Sequence, residues 1–197
     1  MNGSIRVFSY MKIHSTSRLY IAVYLCLMLV FNFFILNSAV AQEQEEKELK
    51  LPLFNLKNLD GIAIQNSEIM EKVVVIDFWA TWCAPCIKSF PALIETENSY
   101  KENDEVIFLY VNTLESANRD TAYIRNFLLS KGFDFQVYMD TPQAGISLAD
   151  QLDITTLPHK LIVDKSGVIR HRMTGYSGSD EELINDLTTK INELLAD

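Results

Sequence analysis

Cys83 and Cys86 are separated by two residues and follow directly on a strongly apolar segment. The third cysteine of the chain, Cys26, lies within an apolar run near the N-terminus. A structural disulfide framework would use more cysteines, spaced farther apart, because a disulfide stabilises a fold most when it closes a long loop. The close pair is therefore expected to be either redox-active or metal-binding.

Metal binding by this pair would need further ligands. A structural zinc site takes four, and beyond the two thiolates residues 42–197 offer only His159 and His171. We therefore expect no metal and no cofactor. A copper-handling protein that uses Cys83, Cys86 and His159 is an alternative, because soft thiolates suit Cu(I).

The elements around the cysteines can be predicted from local patterns. Val73 to Trp79 is a continuous β-branched and aromatic run, typical of a strand covered on both faces. A helix is predicted from Ala84 to about Lys101, with Pro85 in its first turn and a kink at Pro91. Cys83 then lies at a helix N-terminus, where the dipole favours an anion and lowers the pKa of a thiol. Because only a thiolate attacks disulfides, the position favours redox chemistry.

Asp77 places a carboxyl inside the otherwise apolar strand. Burying a carboxylate is costly unless it is protonated or hydrogen-bonded. Burial would raise its pKa and make Asp77 a proton carrier for the cysteines. The alternative is a carboxylate at the end of the strand that reaches solvent.

The rest of the chain alternates predicted strands and helices. The patterns predict hairpins over 51–64 and 161–173, strands over 105–111 and 135–139, helices over 118–131 and 141–152, and a closing helix from Ser179 with Glu182 as its capping-box partner. This order predicts an α/β fold with a mixed central sheet and helices on both faces, arranged in three layers.

The first 41 residues have the pattern of an export signal. They contain three basic residues and no acidic one, and an apolar run from Leu19 to Leu36 precedes Ala39-Val40-Ala41. Cleavage is expected before Gln42; an uncleaved membrane anchor is the alternative, because the run approaches the ~20 residues that span a bilayer. Residues 42–50 are predicted to be a polar linker, and residues 51–197 one domain. In both cases the domain is exported.

The charge balance limits the partners. Residues 42–197 carry 14 basic and 26 acidic residues, with no basic cluster. Nucleic acid is therefore not expected as a partner. We expect the domain to be a monomer.

The segment from Phe78 to Cys86, Phe-Trp-Ala-Thr-Trp-Cys-Ala-Pro-Cys, resembles the active site of thioredoxin-fold proteins. Pro91 is similar in position to the kink proline of that family's active-site helix. Thr156-Leu157-Pro158 resembles the loop that carries a cis-proline facing the cysteines. The resemblance covers residues 51–197 and implies a thioredoxin-like three-layer sandwich.

The stretch between Cys83 and Pro158 is longer than in a minimal thioredoxin. The surplus, a helix and strand over 118–139, resembles the TlpA/ResA-like branch of exported thiol–disulfide oxidoreductases, as do the N-terminal hairpin and the export signal. One departure is Ser89, because members that serve cytochrome c maturation often have glutamate three residues after the second cysteine. With Asp77 present, the site is more similar to that of thioredoxin.

The resemblance implies a periplasmic enzyme that reduces protein disulfides. Cys83 would form a mixed disulfide with the substrate, and Cys86, deprotonated with help from Asp77, would resolve it. It further implies regeneration by a membrane electron donor of the DsbD or CcdA type.

The substrate groove implied by the resemblance contains four further residues: Trp82, Pro85, Leu157 and Pro158. The Leu157 backbone could pair with an extended substrate segment like an added strand. His159 is expected either to approach the cysteines and tune their pKa or to be a surface side chain.

Two other enzyme classes are alternatives. A disulfide-forming oxidase would use the same chemistry in reverse, although Ala84-Pro85 between the cysteines resembles reducing members more than oxidising ones. A peroxidase is less favoured, because the Pro-x-x-x-Thr-x-x-Cys arrangement of such enzymes does not align on Cys83.

Overall fold

The computed structural model describes residues 20–21, 23–33, 48–142, 145–176 and 178–196. The chain divides into two compact units, residues 1–47 and 48–197. In the first unit, residues 20–21 and 23–33 are helical. No helix in the described part of the chain has both the length and the apolar character needed to cross a membrane. The predicted cleavage site at Ala41 and linker residues 42–47 lie outside the described residues, so the signal peptide stays a prediction.

The second unit is built on one mixed seven-stranded sheet. Its strands are β1 Asn55–Asn58, β2 Ala63–Gln65, β3 Val73–Trp79, β4 Val106–Asn112, β5 Val137–Met139, β6 His159–Val163 and β7 Ile169–Thr174. They are ordered β2-β1-β5-β4-β3-β6-β7, with β3 parallel to β4 and antiparallel to β6. The mixed sheet and both predicted hairpins are confirmed.

The described residues of this unit also form five helices: α1 Asn66–Ile69, α2 Ala84–Ser99, α3 Thr121–Lys131, α4 Leu148–Gln151 and α5 Asp180–Ala196. Helix α5 begins as predicted, because Glu182 N donates to Ser179 Oγ at 3.2 Å and Ser179 N donates to Glu182 Oε2 at 3.0 Å. Gly132 caps the C-terminus of α3, and its φ of 76° lies in the left-handed region that glycine adopts readily.

The predicted start of the helix over 141–152 is wrong, because in the described residues this helix begins only at Leu148. Ser147 caps the first turn, since its Oγ accepts a hydrogen bond from Asp150 N at 3.0 Å. The carboxylate of Asp140 accepts two more of the free N–H groups, from Leu148 at 2.7 Å and Ala149 at 3.0 Å. These caps fix the N-terminus of α4 at Ser147.

Strand β3 lies at the centre of the core. All seven of its side chains are buried. Successive side chains of a strand point to opposite faces, so the sheet is covered on both. On one face α2 and α5 pack together, and Tyr100 Oη, just after α2, donates to Asn192 Oδ1 of α5 at 2.9 Å.

Aromatic side chains tie the inserted helix–strand segment to the elements that carry the cysteines. The ring of Phe135 lies 4.9 Å from that of Phe90 on α2 and 4.2 Å from that of Tyr110 on β4. Phe127 of α3 stacks on Trp79 of β3 at 6.5 Å. Each such pair contributes about 0.5–1.5 kcal/mol beyond its buried area, so the insertion supports the site.

The described end of the predicted linker contacts the sheet edge. Ile169 N donates to Leu49 O at 2.8 Å, and Lys50 forms a β-bridge with Val168. An edge strand has unpaired backbone groups, and residues 49–50 satisfy some of those on β7.

Candidate active site

The two cysteines form a disulfide at the start of α2. Cys83 is the N-cap of that helix, four residues after β3 ends, and its Cα lies 5.3 Å from that of Cys86. The N–H of Cys86 donates to Cys83 Sγ at 3.2 Å. Both cysteines are buried, Cys86 completely and Cys83 with 3% of its surface exposed. The helix N-terminus thus directs a backbone donor at one sulfur, and that donor can stabilise negative charge on it.

The sheet brings the Leu157-Pro158 loop to the same end of the fold as the cysteines. Strands β3 and β6 are antiparallel, with Phe78 opposite His159, so the end of β3 and the start of β6 lie together. The Leu157–Pro158 peptide bond is cis, as the resemblance implied. Both residues of this bond are buried, whereas Trp82 and Pro85 are exposed.

Asp77 lies deep in the core, with 2% of its side chain exposed, and does not reach solvent. It faces Lys160 in the register of β3 and β6. Lys160 Nζ lies 3.0 Å from Asp77 Oδ1, and its side chain is 1% exposed. The contact is a buried ion pair between neighbouring strands. Burial raises the pKa of Asp77, and the charge of Lys160 partly offsets this rise.

Lys160 also connects Asp77 to the active-site helix. Its Nζ donates to Ser89 Oγ at 3.5 Å, and Ser89 Oγ donates to the carbonyl oxygen of Cys86 at 2.9 Å. All of these side chains are buried. A line of polar contacts therefore runs from the Asp77 carboxylate to the backbone of the second cysteine.

Sequence reasoning missed Lys160, although a usable pattern was present. The predicted strand began at Leu161 and left Lys160 in the preceding loop, whereas β6 begins at His159. A lysine in a buried strand beside a strand that contains a buried aspartate is the pattern that could have revealed the pair.

Tyr110 faces Asp77 from the other side, on β4. Burial raises the pKa of Tyr110, and the nearby carboxylates of Glu97 and Asp77 raise it further. Tyr110 Oη donates to Glu97 Oε2 at 2.9 Å. Asp77 is thus flanked by Lys160 on β6 and by Tyr110 on β4.

The loop after β4 fixes the residues before Cys83. Trp82 Nε1 donates to Leu114 O at 3.0 Å. The carboxylate of Glu115 accepts from both the N–H and the hydroxyl of Thr81 and pairs with Arg119 at 3.0 Å. No local pattern marks Glu115, so the sequence did not indicate this role. Trp82 remains 54% exposed beside the cysteines.

His159 is buried, so its interpretation as a surface side chain is wrong. Its Nδ1 lies 3.2 Å from Thr174 Oγ1 on β7. Burial lowers the pKa of His159, and the positive charges of Arg172 and Lys160 lower it further. Across the described residues, no three or more His, Cys, Asp or Glu side chains are grouped so as to hold a metal ion.

Known proteins resemble the chain over most of its length. A model of the Redoxin family matches residues 46–187. The thiol-disulfide oxidoreductase ResA of Bacillus subtilis (strain 168) is 30% identical over 172 residues, which cover 86% of this chain and 90% of the relative.

Solved structures show the same fold. A protein of Chlorobium tepidum assigned as the thiol:disulfide interchange protein DsbE aligns with a TM-score of 0.60 and 25% identity, over 74% of this chain and 97% of that chain. A protein of Bacteroides thetaiotaomicron assigned as a protein disulfide isomerase aligns with a TM-score of 0.62 and 23% identity, over 76% and 90% respectively. The fold is therefore the thioredoxin-like sandwich that the sequence predicted.

Proposed function

The chain belongs to the Redoxin family and is a ResA-like thiol-disulfide oxidoreductase, and we propose that it reduces disulfide bonds of other proteins in the periplasm. The observation that carries the proposal is the bonded pair at the start of α2, with Cys86 buried and Cys83 Sγ accepting a backbone hydrogen bond. We propose the direction of electron flow, the compartment and the role of each residue.

Cys83 is the proposed attacking residue. In the reduced protein its thiolate attacks one sulfur of the substrate disulfide, so that a new bond forms at Cys83 Sγ and the substrate bond breaks. The other sulfur of that disulfide leaves as a thiolate and takes a proton from solvent. The N–H of Cys86, 3.2 Å from Cys83 Sγ in the oxidised protein, supports this role because it stabilises negative charge there.

Cys86 is the proposed resolving residue, with Asp77 as its proton acceptor. The Cys86 thiol passes its proton to the Asp77 carboxylate and attacks Cys83 Sγ, which reforms the disulfide and releases the second substrate thiolate. Cys86 is completely buried, so an internal base is favoured over bulk water. Because burial raises the pKa of Asp77, this carboxylate binds a proton more readily than an exposed one. Two electrons pass from the dithiol to the substrate.

The substrate is proposed to bind across Trp82, Pro85, Leu157 and Pro158, with the Leu157 backbone pairing with an extended segment. The topology supports this, since the starts of β6 and α2 lie at one end of the sheet. We further propose that residues 1–41 direct export and that the protein acts as a monomer. A membrane electron donor of the DsbD or CcdA type would regenerate the dithiol.

A trapping experiment tests the proposed function. The Cys86→Ser variant, mixed with insulin, is expected to accumulate a covalent adduct on Cys83 that dithiothreitol releases, and the wild-type chain is expected to catalyse insulin reduction. Cys83→Ser is the matched control and should form no adduct through Cys86, which is buried. Absence of both the adduct and the catalysis would overturn the proposal.

A further inference from the structure

An open groove of about 390 Å³ lies beside Cys83, between the start of α2 and the end of α3. Trp82, Ile87 and Lys88 line it on the α2 side. Phe127 and Lys131 line it on the α3 side. Helix α3 belongs to the segment that lengthens this chain between Cys83 and Pro158, so the insertion supplies one wall of the groove.

The apolar part of the groove is held in place. The Trp82 ring is fixed by its hydrogen bond to Leu114 O at 3.0 Å. The Phe127 ring stacks on the fully buried Trp79 at 6.5 Å. A substrate side chain would therefore meet a surface whose aromatic groups are already positioned, which limits the entropy lost on binding.

The charge at the groove is opposite to that of the protein. The whole chain carries 26 acidic and 17 basic residues, yet among the described residues Lys88 and Lys131 line the groove and no acidic residue does. Neither lysine forms an ion pair with any described residue. Instead, Lys88 Nζ lies 5.8 Å from the ring centre of Tyr176, and Lys131 Nζ lies 6.0 Å from that of Phe127. Two cations without an ion-pair partner in the described part of the chain thus flank an aromatic surface next to the disulfide.

We propose that this groove selects protein substrates whose disulfide cysteine is flanked by an acidic residue next to an apolar one. The inference rests on the proposed function and adds its substrate class. When a substrate cysteine is bonded to Cys83, an extended chain advances ~3.3 Å per residue, so side chains one to four positions away reach the groove. Their apolar parts pack on Trp82 and Phe127, and a carboxylate pairs with Lys88 or Lys131.

Three disulfide-linked peptides test this selection. They differ only in having Glu, Gln or Lys at the positions flanking the cysteine, beside a constant Leu, and the wild-type full-length chain reduces each in turn. The expected order of kcat/KM is Glu, then Gln, then Lys, with about 2- to 5-fold between steps, as for exposed ion pairs. The difference should shrink in 0.5 M NaCl, because salt screens exposed charges.

Charge reversal gives the second arm. Lys88→Glu/Lys131→Glu should reverse the order and favour the Lys peptide. The matched control, Lys57→Glu/Lys101→Glu, makes the same change in net charge on β1 and after the far end of α2, and should keep the wild-type order. Reduction of the uncharged 2-hydroxyethyl disulfide should be equal in the wild-type chain and the Lys57→Glu/Lys101→Glu control, and its rate in each protein normalises the peptide rates, so that any general change at Cys83 cancels.

Equal kcat/KM for the three peptides, an order that survives charge reversal, or a preference that high salt leaves unchanged would overturn this inference. In each of those cases the peptides are still reduced, and the proposed function stands. A protein that reduces none of the peptides and no insulin would overturn the proposed function as well.

Discussion

Lys160 Nζ lies 3.0 Å from Asp77 Oδ1, and the two side chains are 1% and 2% exposed. Removing two charges from water is costly, and an apolar pair of similar volume is often as stable or more so. Stability alone therefore gives no reason for this pair at the centre of the sheet. Through Ser89, Lys160 also connects the pair to the carbonyl oxygen of Cys86 and so to the active-site helix.

The first prediction concerns Asp77→Asn and the pH dependence of the resolving step. The carboxyl accepts a proton only when ionised, and burial raises its pKa above 3.8. The wild-type rate of substrate release should therefore rise as pH increases through this raised pKa. Asp77→Asn should slow release by about 10²-fold and remove this rise, a loss typical of a general base. Single-turnover release of reduced peptide measures it; formation of the mixed disulfide by Cys83 is the control and should be unaffected.

The second prediction concerns the charge of Lys160, which holds the pKa of Asp77 below what burial alone would give. Lys160→Met should raise that pKa further, so the rise in substrate release should move to higher pH. Lys160→Arg keeps the charge and should restore most of the wild-type profile. A midpoint that stays constant in Lys160→Met would show that the lysine does not act on Asp77.

The third prediction is a double-mutant cycle on the same pair, measured by denaturant unfolding of the oxidised protein. Asp77→Val and Lys160→Met should each lower the free energy of unfolding by about 3–5 kcal/mol, because each leaves the other charge buried and unpaired. The double variant should recover most of this loss. Additive losses would contradict the assignment of a coupled ion pair.

The same pair gives a fourth prediction, for stability against pH. The pKa of Asp77 is higher in the folded chain than the 3.8 of an ordinary aspartate. Between pH 3.8 and this raised pKa, the folded state therefore binds more protons than the unfolded one. The free energy of unfolding contributed by this group should fall as pH rises through that window. Subtracting the curve of the Asp77→Val/Lys160→Met variant should isolate this fall; a difference that increases with pH there would contradict it.

The fifth prediction concerns Glu115, whose carboxylate holds Thr81 and Arg119 beside the site. Glu115→Ala should destabilise the fold by about 1–3 kcal/mol, because partly buried donors lose their acceptor. It should also raise KM for protein substrates by loosening Trp82, while the reduction potential stays constant. Glu102→Ala, an exposed carboxylate after α2, is the control. A shifted potential in Glu115→Ala would show that the loop acts on the sulfurs directly.

The sequence predicted the elements whose causes are local. The apolar run at Val73–Trp79 and the proline at position 85 gave β3 and the start of α2 at their observed positions, and with them Cys83 at the N-cap. The capping box at Ser179 gave the start of α5. In each case a few neighbouring residues determine the backbone, so no knowledge of the tertiary structure was needed.

What the sequence did not reveal depends on residues far apart in the chain. The partner of Asp77 is 83 positions away and is set by the register of β3 with β6. The contact of Glu115 with Thr81 joins a loop without a pattern to the active-site segment. The start of α4 is the exception, because its cause is local: the capping box of Ser147 and Asp150 places the first turn there and not at position 141.

The reduction potential of the Cys83/Cys86 pair, measured by equilibration of the full-length chain with glutathione buffers, tests the proposed reductase function most directly. We predict a single reversible two-electron equilibrium with a potential well below about −180 mV, the value of protein disulfide isomerase. A potential well above that value would make the protein an oxidant, and failure of the two sulfurs to equilibrate at all would contradict the role of the pair.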